Sequence, residues 1–175
     1  MKQIIIKYGI ISGITMAALM FATALWFDKA GYIYAGVIGY ASMVTGFLPV
    51  FFGVRKFRDT LCEGYIGFGK AASVSIAAGL FANLFYVAAW LIIYYNFPGV
   101  VEKINNYSLQ QMKDSGISPK DMAAMLKQMQ QMKEMYKNPL INAAATYAKP
   151  LFGTLIFSAL TALLIRKKPP TLPLN

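Results

Sequence analysis

Four apolar runs, each long enough to cross a bilayer, constrain this chain more than any other feature. A transmembrane helix needs ~20 mainly apolar residues, because lipid offers the backbone no hydrogen-bond partner and every N–H and C=O must be satisfied within the segment. The runs cover residues 8–27, 32–54, 71–97 and 140–165. They predict an all-α membrane protein with four transmembrane helices and an extramembrane helical hairpin over 98–139, between the third span and the fourth. Residues 1–168 then form a single integral membrane domain, followed by a short tail over 169–175. Composition points the same way. The chain is 57% hydrophobic and 14% charged, whereas ordinary soluble domains carry about 25% charged residues.

The formal net charge of +10 is not that of a nucleic-acid-binding surface, because the basic residues stand at the ends of apolar runs. Lys2 and Lys7, then Arg55, Lys56, Arg58 and Lys70, then Arg166, Lys167 and Lys168 all fall on one side of a four-span arrangement. The positive-inside rule makes that side cytoplasmic, with both termini there. The other side carries the turn Asp28-Lys29-Ala30-Gly31 and the connection 98–139, where lysines alternate with Glu102, Asp114, Asp121 and Glu134. A competing reading takes residues 1–24 as a cleaved signal peptide ending in Ala22-Thr23-Ala24, which leaves three spans. It ranks second, because the apolar run continues through Leu25, Trp26 and Phe27 to full span length.

The connection between the third and fourth spans has helix signals of its own. Ser118-Pro119-Lys120-Asp121 combines an N-cap serine, a first-turn proline and an acidic residue at the capping-box position, so a helix is expected from there to about Lys137, ended by Asn138-Pro139. Upstream, 100–114 is helix-compatible, with Gly116 available to terminate it. Two arms of about sixteen residues would extend on the order of 25 Å, unless they lie flat on the bilayer.

Several residue sets invite a chemical reading. Gly64-Tyr65-Ile66-Gly67-Phe68-Gly69-Lys70 has the spacing of a phosphate-binding loop, but Ala71 stands where a serine or threonine holds magnesium, and no strand precedes it. A glycine-rich turn that lets the chain re-enter the membrane is the simpler reading. Met122, Met125, Met129 and Met132, continued by Tyr136, recur at alternating spacings of three and four. Soft thioethers suit Cu(I), yet the same spacing makes a helical seam for the other arm or for a partner, and methionine is an adaptable packing residue. Arg55, Lys56 and Arg58 form a candidate contact for anionic lipid headgroups, with topology alone as the plainer explanation. Small residues recur every fourth position: Gly9, Gly13 and Ala17 in the first span, Ser75 and Gly79 in the third, Thr154, Ser158 and Ala162 in the fourth. Such faces let helices approach closely. Asn83 is the strongly polar side chain deep in a span, suited to an interhelical hydrogen bond. Lys149, beside Pro150, can snorkel toward the headgroups.

The ordered set Arg55-Lys56-Phe57-Arg58-Asp59, the glycine-rich turn 64–70, Tyr94-Tyr95 with Pro98, Tyr136-Lys137-Asn138-Pro139, Pro150 with Gly153, and Arg166-Lys167-Lys168 resembles domain-of-unknown-function family 4199. The resemblance covers residues 1 to about 168. It implies a small bacterial inner-membrane protein with four helices and an outward helical hairpin, and it implies no activity, ligand or catalytic residue.

With no histidine and Cys62 as the sole cysteine, the chain lacks the materials for histidine acid–base chemistry and the common zinc sites. Neither a catalytic residue nor a cofactor or metal is expected. The bilayer is the first partner. The leading expectation is a non-enzymatic interaction or structural protein acting through the outward hairpin, toward a protein partner or as a homo-oligomer, without nucleic acid. The alternative is a small oligomeric channel or transporter subunit built on the small-residue faces.

Overall fold

The computed structural model describes the backbone of residues 1–26 and 32–167, and the side chains of 1–24 and 41–167. The turn 28–31, Lys168 and the tail 169–175 lie outside the described residues, as does the Trp26 side chain. Six helices follow one another: α1 (Lys2–Trp26), α2 (Tyr32–Leu61), α3 (Phe68–Asn96), α4 (Pro98–Asp114), α5 (Pro119–Met135) and α6 (Pro139–Ile165). Among the described residues there is no strand, only an isolated bridge between Ile66 and Lys167. Within those residues, Lys2–Ala24, Phe68–Asn96 and Pro139–Ile165 are long and apolar enough to cross a membrane.

These boundaries follow from capping chemistry where the sequence supplies it. Ser118 accepts a hydrogen bond from the Asp121 backbone N–H at 3.2 Å and donates its hydroxyl to the Asp121 carboxylate at 2.7 Å, so the expected N-terminus of α5 is formed. Gly116 takes a positive φ of 67° after α4, a conformation without steric cost for glycine. Asn138 has a role beyond ending α5: its side chain accepts from the Leu140 N–H at 3.0 Å and so begins α6. Helix α5 stops at Met135, two residues short of the expected end, and Tyr136 is its C-cap.

Four helices pack into a bundle whose directions can be read from paired contacts. Gly9 faces Phe81 and Gly13 faces Phe85, so α1 and α3 run the same way. Tyr8 packs on Gly53 and Met16 on Gly46, which sets α2 antiparallel to α1; Thr154 packs on Gly79 and Asn142 bonds to Trp90, which sets α6 antiparallel to α3. Phe47 stacks on Phe157 with ring centroids 5.1 Å apart, joining α2 to α6. The basic ends of all four helices therefore meet at one end of the bundle. There the Ile66 and Lys167 backbones exchange two hydrogen bonds of 3.0 Å each, and Arg58 donates to the Ile165 carbonyl at 3.2 Å.

The interior combines a modest apolar core with buried polar groups. Phe47, Val50, Val54, Phe57, Val74, Ala78 and Ala82 form its centre. Large apolar side chains such as Phe152, Ile156 and Leu164 face outward, as they do when lipid, not water, is the surrounding solvent. The small residues supply the close approach. A methyl group placed on Gly13 would stand 2.6 Å from the Phe85 ring, and one on Gly79 would stand 2.6 Å from the Thr154 methyl. Gly13→Val and Gly79→Val are each expected to destabilise the bundle by about 1–3 kcal/mol through overpacking. Gly69, with open space around it, is expected to accept alanine without loss. Reversible unfolding of the detergent-solubilised chain measures all three.

Candidate functional site

At the end of the bundle opposite the basic cluster, aromatic residues of α3 receive the end of α5. The Tyr95 hydroxyl donates to the Tyr136 carbonyl at 2.8 Å, and the Tyr94 and Tyr136 rings meet edge to face with centroids 5.9 Å apart. Trp90 donates its indole N–H to the Asn142 side-chain oxygen at 3.2 Å, which ties α3 to the first turns of α6. Trp and Tyr suit this level of a membrane protein, because each pairs an apolar ring with a polar tip.

From this root α4 and α5 rise without closing on each other. Neither helix has a buried residue. Between them lies a groove of ≈ 490 Å³ whose walls are Val101, Ile104 and Leu109 from α4 and Leu126, Met129 and Met132 from α5. Its floor is Trp90, Tyr94, Tyr136 and Lys149. A volume of this size falls within the ligand-pocket range of roughly 300–1,000 Å³. Leu126 and Met132 remain 40% and 45% exposed, so the apolar faces of the two helices are only partly covered.

The methionine seam divides along its length. Met129 and Met132 line the groove together with Tyr136, whereas Met122 and Met125 are half-buried on the same helix beyond it. Among the described residues no cluster of histidine, cysteine or carboxylate groups is arranged to hold a metal ion. Lys149 stands over two rings at the floor, with Nζ 6.0 Å from the Trp90 centroid and 5.8 Å from that of Tyr136.

The basic cluster at the other end is partly engaged. Arg58 donates to the Asp59 carboxylate at 2.7 Å as well as to the Ile165 carbonyl, while Arg55 and Lys56 are exposed. That hydrogen bond, with the charges of Arg58, Arg55 and Lys167, holds the Asp59 carboxyl below its ordinary value. A depressed carboxylate pKa means that any stability from the pair is present at neutral pH and lost as pH falls through the folded-state value. The glycine-rich segment is a turn closed by the Tyr65 N–H donating to the Cys62 carbonyl at 2.8 Å, after which α3 begins at Phe68. Lys70 stands over the Phe57 ring at 5.6 Å.

Asn83 is fully buried and donates to Thr154 at 3.0 Å, and Thr154 donates onward to the Pro150 carbonyl at 2.9 Å. The interhelical hydrogen bond expected of Asn83 is therefore formed, between α3 and α6. The aromatic root was not visible in the sequence as a site. Tyr94-Tyr95 stood out only among the segments that carry the family resemblance, and Tyr136 there and as the continuation of the methionine seam; nothing local joined them.

These helices and their packing define a helical-bundle protein with membrane-spanning helices. The family model described as protein of unknown function (DUF4199) matches residues 7–167, and the chain belongs to that family. No curated protein and no solved structure matches it.

An open groove has a direct chemical consequence. In a Cys62→Ser background, Ile104→Cys and Met129→Cys are expected to react with a water-soluble thiol reagent at rates comparable to Met135→Cys. Ala82→Cys, at a fully buried position, is expected to stay unmodified. Protection of positions 104 and 129 would mean that α4 and α5 close on each other.

Proposed function

We propose that this chain is a four-span integral protein of the bacterial inner membrane, with both termini cytoplasmic, that binds a protein partner or a second copy of itself through α4 and α5. It does so without catalysing a reaction. The observation that carries this reading is the pair of apolar helix faces left uncovered around the groove, with no buried residue on either helix. Two helices that served only to connect spans would have no reason to present Val101, Ile104 and Leu109 of α4 to Leu126, Met129 and Met132 of α5 and leave them half open. Methionines make such a surface adaptable, because an unbranched thioether side chain repacks against different shapes at low cost.

Four spans are supported by α2, which runs alongside α1 and pairs with α6 through Phe47 and Phe157. The collection of basic helix ends at one pole of the bundle supports a cytoplasmic assignment for that pole. A non-enzymatic role is supported by the chain's residues: it has no histidine, and the groove floor offers one lysine and three aromatic side chains.

A second reading, a small oligomeric channel or transporter subunit, draws on one observation. Asn142, Thr146, Thr154, Ser158 and Thr161 are buried along α6, a continuous polar face through a spanning helix. The close packing of Thr154 on Gly79 leaves that face without an open path, which is why it ranks second. Solute flux into liposomes that depends on the protein would promote it, and its absence would remove it.

The leading reading is tested on the full chain in cells, with a photo-crosslinking amino acid at Gln128. A discrete protein adduct is expected, and Met125→Glu with Met129→Glu should abolish it while the purified bundle still elutes as the parent does. An adduct unaffected by both substitutions, or no adduct, would contradict the proposal. Loss of the bundle along with the adduct would show that the methionines hold the fold instead.

A further inference from the structure

Lys149 is a basic residue within α6. It sits on a helix long and apolar enough to cross a membrane, ten residues after Pro139, which is roughly 15 Å along the axis at 1.5 Å per residue. A lysine so placed is expensive unless its charge reaches the interface or meets a counter-charge, and for that reason an ionisable group on a span marks a candidate functional site. Among the described residues no carboxylate forms an ion pair with it. Its contacts are the faces of Trp90 and Tyr136, which stabilise a cation but do not neutralise it.

The surroundings restrict what can supply the missing charge. The charged groups lining the groove are Lys149, Lys133 and Glu102, a net charge of +1 (two lysines against one carboxylate). Lys149 lies among Trp90, Tyr94 and Tyr136, the ring types that collect at headgroup depth. Nearby levels of α3 and α6 also expose the apolar Ile92 and Leu140. An anion with an apolar body attached fits both features, and the bilayer supplies one. We infer that Lys149, at the root of the α4–α5 groove, binds the phosphate of an anionic phospholipid from the surrounding leaflet. The aromatic floor holds the ammonium in place, and the acyl chains stay in lipid. Lys149 lies on the floor of the groove, whereas Met122 and Met125 lie beyond it on α5, so lipid binding and partner binding are tested by different substitutions.

The chain has two tryptophans, and Trp26→Phe makes Trp90 a local reporter. The full-length variant is reconstituted into vesicles of phosphatidylcholine mixed with phosphatidylglycerol, with brominated acyl chains on one lipid or the other, and quenching of Trp90 is read. Preferential quenching by the brominated phosphatidylglycerol is expected. Lys149→Gln should lower that preference by roughly fivefold, the effect of one basic residue at a charged surface. Lys149→Arg should retain it, and Lys127→Gln, at an exposed position of α5 outside the groove, should leave it unchanged. Equal quenching by the two lipids would overturn the inference, as would a preference that survives Lys149→Gln in a bundle of unchanged elution and helicity. Displacement of phosphatidylglycerol by inorganic phosphate would also overturn it, by making the ligand a soluble anion.

Discussion

Two glycine contacts hold α3 against its neighbours, Gly13 under Phe85 on the α1 side and Gly79 under Thr154 on the α6 side. In a bilayer no hydrophobic force drives helices together, since lipid tails are as apolar as the side chains they would replace. Association then depends on how closely backbones approach and on what polar groups meet when they do. The glycines provide the approach. Once α6 lies that close, Asn83 reaches Thr154 and Trp90 reaches Asn142, so hydrogen bonds fix the register of α6 along α3. Interhelical bonds of this kind average ~0.6 kcal/mol each in a membrane. They specify the arrangement more than they hold it together.

That register has consequences at both ends of the bundle. At the basic end it brings the C-terminus of α6 beside the turn after α2, where Arg58 and the Ile66–Lys167 bridge close the chain ends together. At the other end it sets Trp90, Tyr94 and Tyr95 where they receive Tyr136. The α4–α5 pair is thus tied down at its root and open above it. The root is fixed and the upper part open, which leaves the helices outside the core with a partly covered apolar surface.

Much of this was legible in the sequence, and for stated physical reasons. Span-length apolar runs read directly as helices because lipid permits few alternatives. The small-residue spacing located the contact faces: Gly9, Gly13, Ser75, Gly79, Thr154, Ser158 and Ala162 are buried, and Ala17 is partly buried. Ser118 and Asp121 announced the start of α5. Contacts between distant segments were not legible. The Tyr95–Tyr136 bond joins residues 41 apart and the Arg58–Ile165 bond residues 107 apart, and no local periodicity encodes either. Nor did spacing reveal that α4 and α5 stand apart. A methionine stripe at three-and-four spacing reads the same whether it closes a seam or lines a groove.

In the proposed topology four helices cross the membrane and leave α4 and α5 on the side away from the basic pole. Intact mass combined with cysteine accessibility in sealed cells tests it most directly. The probes are native Cys62 and, in a Cys62→Ser background, single cysteines at Lys29, Ser115 and Leu174. Four spans with both termini inside give the full-length mass, positions 29 and 115 labelled from outside, and positions 62 and 174 labelled only after permeabilisation. A mass lacking the first ~24 residues, or labelling of position 115 only from inside, would contradict it.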